Sequence, residues 1–184
     1  MELIKQLTTE ELEAGLEYIR QSPKEAGELL LIVRRPQVDE RQPVEEATLD
    51  LEQGLVGDSW VARGRGPVKA PMDTQLTIMN ARAAQLVAQS KDRWKLAGDQ
   101  LFVDLDLSED NLPAGSRLAI GSAVVQVSPV PHTGCKKFVS RFGMEAMEFV
   151  NSPTGKQLHL RGINTRIIQA GTIRVGDMVR KLPV

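Results

Sequence analysis

The sequence predicts a mainly β fold, a β-rich α+β chain whose strands close into a β-barrel decorated with a few short helices. Three observations carry this. Short apolar or alternating segments recur at roughly ten-residue spacing, each bounded by Gly, Pro, Asn or Asp. One hairpin is unambiguous: Ser116 to Ile120 and Ala123 to Ser128 flank Gly121-Ser122, a two-residue turn with glycine first. Helical periodicity is confined to a few brief stretches. No internal repeat, low-complexity tract or long linker divides the 184 residues, so one barrel domain over 27–184 is expected, preceded by a helical appendage over 1–26.

In order along the chain, Thr8 caps a first helix, with Glu11 three residues on completing a capping box. Leu12, Leu16 and Ile19 form its apolar stripe, and Pro23 ends it. Glu28 to Val33 reads as a strand, Pro36 to Pro43 as a polar loop, and Glu46 to Leu51 as a second strand. Gly54-Leu55-Val56-Gly57-Asp58 is a glycine-bracketed turn that matches no phosphate-binding P-loop. Arg63-Gly64-Arg65-Gly66-Pro67 is a basic loop able to close over an anion or simply to be solvated.

Gln75 to Met79 is the next strand, and Asn80 caps a helix running to about Lys91. Leu101 to Leu105 is a strand, Ser108 to Gly115 a loop, and the clear hairpin follows. Lys136 to Phe142 and Glu145 to Phe149 read as helical pieces broken at Gly143. Gly162 to Ala170 is a strand with Ile163, Thr165 and Ile167 on one face. Thr172 to Val175 and Met178 to Arg180, around Gly176-Asp177, read as a closing hairpin.

The composition, 41% hydrophobic and 26% charged, is that of a water-soluble globular chain, and no apolar run reaches membrane-spanning length. Met1-Glu2-Leu3-Ile4-Lys5 lacks an apolar signal core. A single unpaired cysteine offers no disulfide framework and fits a reducing cytoplasm. Net charge is −1 but unevenly spread. Residues 115–184 carry ten lysines and arginines against three acids, which suits an anionic ligand, phosphate above all. The basic half interleaves no aromatic stacking platform, which argues against nucleic acid.

The rare residues gather in Pro131-His132-Thr133-Gly134-Cys135-Lys136-Lys137-Phe138. A thiol beside cations and near a helix N-terminus has a depressed pKa and is more often the thiolate, the nucleophilic and metal-binding form. The competing reading is a small buried apolar residue. His132 can tune that thiolate or relay a proton, or it can be a hydrogen-bonded structural histidine. Asp58 can orient a cation or simply cap its turn.

These segments together resemble the MOSC domain, the C-terminal domain of molybdenum cofactor sulfurases, in its small stand-alone bacterial form. The resemblance runs through the Gly54–Asp58 loop, Asp73–Met79, Leu112–Gly121 with Ala123–Val127, Cys135 with its lysines and Arg141-Phe142-Gly143, Arg161–Arg166 and Gly171–Asp177. It implies a MOSC-type barrel and an anionic molybdenum–pterin cofactor, with Cys135 as molybdenum ligand or persulfide carrier. Lys136, Lys137, Arg141, Arg161, Asn164, Arg166 and Asp58 would then bind the cofactor, and His132 would assist catalysis. Related stand-alone proteins reduce N-hydroxylated compounds, which would require an electron-donor protein; a sulfur carrier would require a sulfur-donor protein. The other outcome is a non-catalytic persulfide carrier or a phosphorylated-cofactor-binding module. Pyridoxal phosphate attaches to the family through a separate desulfurase domain that nothing here resembles, and no lysine is assignable to its Schiff base. Three places differ from the common pattern: Ser59-Trp60 where many relatives have Arg-His, Gly98-Asp99-Gln100 where many have Arg-Asn, and His-Thr-Gly before the cysteine.

Overall fold

The computed structural model describes residues 4–184; Met1, Glu2 and Leu3, on which the reading of the N-terminus partly rests, lie outside it. Strands β1 (Ala26–Arg34), β5 (Leu76–Asn80), β6 (Leu101–Val103), β7 (Arg117–Ile120), β8 (Ala123–Val127), β9 (Ile163–Gln169) and β11 (Met178–Lys181) form a closed ring. Its order is β11-β7-β8-β9-β5-β6-β1, with β1 pairing back to β11. Short β2 (Gln42–Val44) extends β1 outside the ring. A three-stranded sheet of β10 (Gly171–Arg174), β3 (Glu46–Asp50) and β4 (Gly54–Leu55) lies beside it. Closure leaves no open edge in the ring, the expected solution for many short strands.

Two apolar clusters explain the chemistry of the strands. Leu29, Leu76, Ile78, Leu101, Leu118, Val125, Ile163 and Ile167 fill the barrel. Met79, Phe102 and Val33 point the other way, into a second cluster built by helices. Strands β5 and β6 are therefore buried on both faces, and Leu-Thr-Ile-Met-Asn and Leu-Phe-Val show no polar alternation. They are also the ring's parallel pair, so a crossover must join them. Helix α3 (Ala81–Ala88) and a 3₁₀ helix (Lys91–Ala97) supply it. Asn80 caps α3 through the Ala83 N–H and ties it to Ser22 and the Leu105 carbonyl. The helix stops at Ala88 because Gln89 turns left-handed, short of the expected Lys91.

The second cluster is completed by α1 (Thr9–Ala14) and α2 (Leu16–Arg20), with α4 (Lys136–Phe142), α5 (Met144–Asn151) and α6 (Pro153–Gln157) following the barrel hairpin. Thr8 and Glu11 form the expected capping box, and Leu12 is fully buried in this cluster. The β7–β8 hairpin has the expected register, Ile120 opposite Ala123.

The closing hairpin is a correction. Both strands exist, but they do not pair with each other. Strand β10 pairs with β3, whereas β11 lies between β1 and β7. Asp177 closes the turn by accepting from Arg174 N–H, and its carbonyl accepts from Leu29 N–H. The turn thus hands the chain to β1, where β11 satisfies two edges at once instead of one.

At that seam Gly27 faces Val179, and a β-carbon there would lie 1.6 Å from the Asp104 carbonyl oxygen. Backbone cannot yield as a flexible side chain would. Gly27→Ala is expected to lower unfolding stability by at least about 2 kcal/mol, measured by urea denaturation.

Candidate functional site

The site is organised by one short backbone segment. The 3₁₀ helix ends with Gly98 at φ +93°, a left-handed conformation that suits glycine. Three successive carbonyls there accept from three arginines drawn from distant parts of the chain. Arg141 Nη1 donates to Leu96 O at 2.7 Å, Arg161 Nη2 to Ala97 O at 2.8 Å, and Arg35 Nη1 to Gly98 O at 2.9 Å. Carbonyls at a helix C-terminus lack intrahelical partners and carry partial negative charge, so cations collect there. A β-carbon at position 98 would lie in ordinary contact with Arg41 and Arg141, so it is the backbone conformation and not crowding that favours glycine there.

Each arginine is fixed by a second contact. Asp58 grips Arg35 in a bidentate pair, both N···O distances 2.9 Å, and caps the following 3₁₀ helix (Ser59–Arg63) through Trp60 N–H. Asp58 thus caps its turn and holds a cation, Arg35, that lies outside the basic C-terminal set named from the sequence. Arg161 pairs with the fully buried carboxylate of Asp99 and stacks over Phe138 at 5.2 Å. Arg141 and Lys137 share the exposed Asp39, at 3.2 and 3.1 Å.

Positive charge exceeds negative here. Burial, then repulsion from Arg141 and Arg35, lowers the pKa of Arg41; burial and Arg35 do the same to Arg63. The Nε atoms of Arg41 and Arg161 are buried with no hydrogen-bond partner. Unsatisfied buried donors are costly unless something arrives to accept from them.

Cys135 is exposed and stands as N-cap of α4 without making a capping bond. The loop before it is pinned at several points. Asn164 donates to the carbonyls of Val130 and Pro131, and Asn151 exchanges hydrogen bonds with the Gly134 backbone. His132 Nε2 lies 3.0 Å from Asp99 Oδ1. Partial burial pushes the Cys135 thiol up, but the Phe138 and Lys137 backbone N–H groups and the charges of Arg161 and Arg141 outweigh it, and the net direction is down. Asp99 is also lowered: burial pushes it up, and Arg161 and His132 more than reverse this.

Of the residues named from the sequence, Arg141 and Arg161 act on the Cys135 thiol, Lys137 shares Asp39 with Arg141, and His132 shares Asp99 with Arg161 while lining a different cavity from Cys135. Lys136 is exposed and shares with Cys135 a cavity of about 390 Å³ lined by Val139, Met144 and Met147. Asn164 holds the loop and is committed to that task. Arg166 is exposed on β9 opposite Gln126 and forms no hydrogen bond with this cluster among the described residues. Arg35, Arg41 and Asp99 were not singled out as site residues. Their signals are faint: Arg35 follows directly on a predicted strand, Arg41 lies in a polar loop, and Gly98-Asp99-Gln100 stands out only as a departure from the common pattern.

A MOSC domain family model matches residues 65–180. Among solved structures, the YuaD protein from Bacillus subtilis is similar, with TM-score 0.61, 14% identity, and coverage of 84% of this chain and 94% of that one. YiiM from Escherichia coli gives 0.55, 22%, 85% and 70%. YiiM from Geobacillus stearothermophilus gives 0.54, 16%, 85% and 73%. No curated protein matches the chain. Among the described residues, no helix is long and apolar enough to cross a membrane.

Asp58→Asn strands the nearly buried Arg35 charge and is expected to cost about 3 kcal/mol or more, seen as a lowered urea midpoint. A depressed thiol pKa means more thiolate at a given pH. Cys135 should therefore be alkylated at pH 7 faster than a free cysteine. Arg141→Gln, by removing a cation, should slow that reaction about threefold at pH 7 and leave it unchanged at pH 10, where both thiols are ionised.

Proposed function

Because the chain belongs to the MOSC family, which is associated with molybdenum cofactor binding, we propose that it binds a molybdenum–pterin cofactor and uses it to reduce the N–O bond of small N-hydroxylated compounds. The observation that carries this reading is the meeting of an exposed, pKa-lowered thiol with an excess of arginine whose buried Nε donors lack acceptors.

The donor set fits such a group. Among the described residues no three His, Cys, Asp or Glu side chains gather to hold a bare metal ion. A metal that brings its own organic sulfur ligands needs only one soft thiolate from the protein, and Cys135 is that thiolate. Arg41, Arg35 and Arg141 would hold the phosphate, guanidinium being matched to phosphate oxygens. Lys136 and Lys137 would screen the rim. Arg161 would keep the thiolate ionised while Asp99 holds Arg161 in place. When bound, the molybdenum supplies two-electron redox chemistry. A partner protein must supply the electrons, since a chain with one cysteine can ligate no iron–sulfur cluster.

The exposure of Cys135 favours a second reading, a carrier that accepts sulfur as a persulfide from a sulfur-donor protein. One comparison separates them. Protein made in a cofactor-competent host is expected to contain molybdenum and pterin near one per chain. Cys135→Ser should lose most of the molybdenum, and Arg41→Gln most of the pterin. Full molybdenum in Cys135→Ser would sink the cofactor reading. An added sulfur on Cys135 by intact mass, with no molybdenum, would establish the carrier.

A further inference from the structure

We propose that Asp39 is a built-in stand-in for the ligand's phosphate: its carboxylate fills the anion seat between Arg141 and Lys137 until a phosphate displaces it and the loop tip 37–39 swings clear. The inference rests on the reading of Arg41 and Arg141 as phosphate-binding residues given above.

Three cations define the seat. Lys137 Nζ and Arg141 Nη2 both donate to Asp39 Oδ1, at 3.1 and 3.2 Å. Arg41 joins them. A β-carbon on Gly98 would lie 3.7 Å from Arg41 Nη2 and 3.8 Å from Arg141 Nη1, so the two guanidinium groups flank one point. Arg41 is left short of acceptors. Its Nη1 donates to the neighbouring Glu40 carbonyl at 2.8 Å, and its Nε is buried with no partner. One carboxylate oxygen thus serves two cations, and among the described residues the third has no carboxylate of its own.

The present occupant is loosely held. The Asp39 side chain is 64% exposed and that of Lys137 56%, and ion pairs in such a setting are weak and screened by salt. The Asp39 backbone has φ +63°, a left-handed conformation that aspartate tolerates better than most residues but that still costs more than extended or right-handed backbone. No apolar contact anchors the tip, since Val38 is 80% exposed. The stem on either side is fixed, by Arg35 on Asp58 and by β2 on β1, so the movement is confined to the tip.

A phosphate monoester is the better occupant. It carries about −1.5 to −2 of charge at neutral pH and three acceptor oxygens, enough to take Arg141, Lys137 and Arg41 together. With phosphate in place, Asp39 faces a like charge and has lost both partners. A monoanion gains no such advantage over the carboxylate it must displace, so the exchange selects dianions.

Titration of the full chain, free of metal and pterin, with inorganic phosphate at low salt tests this by calorimetry. Asp39→Asn is expected to tighten phosphate binding about fivefold, the order of one exposed ion pair. Asp110→Asn makes the same change in net charge beside a different cavity and is expected to alter binding by less than about twofold. In the wild type, the ¹H–¹⁵N NOE of the Val38 and Asp39 amides is expected to fall as phosphate is added. Phosphate binding that Asp39→Asn leaves unchanged or weakens, an equal gain in Asp110→Asn, or a tip as rigid with phosphate as without it overturns the stand-in role alone. Phosphate binding by neither the wild type nor Asp39→Asn overturns the phosphate reading of Arg41 and Arg141, and the stand-in role with it.

Discussion

Three consecutive carbonyls, those of Leu96, Ala97 and Gly98, hold the candidate site together. Each accepts from a different arginine: Arg35 just past the end of β1, Arg161 just before β9, and Arg141 on α4. The backbone supplies the anchoring because a 3₁₀ helix ends there and its last carbonyls have nowhere else to donate their lone pairs. Asp99, the next residue but one after Ala97, adds a buried negative charge beside Arg161, as Asp58 does beside Arg35. Backbone acceptors carry no charge, so they position guanidinium groups without neutralising them. Each of these three arginines also has a carboxylate partner, so the surplus positive charge rests on the neighbouring Arg41 and Arg63, which form no ion pair among the described residues.

The barrel's role is to bring that segment to Cys135. Strands β5 and β6 run parallel, so the chain must cross over between them, and the crossover is what carries Leu96–Gly98. Helix α4 then packs Phe138 beneath Arg161 and presents Arg141 to Leu96. Arg93 closes the contact from the other side, donating to the Arg141 carbonyl at 3.0 Å. The thiol's electrostatics thus descend from a topological requirement two steps removed from the cysteine.

Local signals in the sequence were read well where the physics is local. The Thr8 capping box, the Asn80 cap, the Gly121-Ser122 hairpin and the break at Gly143 each depend on a few neighbouring residues. The pairing of the last two strands was not legible, because a glycine–aspartate turn looks the same whether its arms meet each other or two different sheets. Charge was misleading in an instructive way. The basic C-terminal part drew notice, yet Arg35 and Arg41 come from the acidic part, while Arg166, Arg174 and Arg180 are spread over exposed strand faces. Linear charge balance says little about which guanidinium groups converge, since convergence here is set by carbonyls, which leave no mark in a composition.

Strand β11 has a consequence for how the chain acquires its shape. Ala26 on the first barrel strand pairs with Arg180 on the last. The ring can close only when almost all of it has been synthesised, and until then β1 and β7 each keep an unpaired edge. Such far-separated pairing makes folding slow and late. The seam at Gly27 therefore joins the two most widely separated strands of the ring, and until β11 is made both of its neighbours present an edge to other chains.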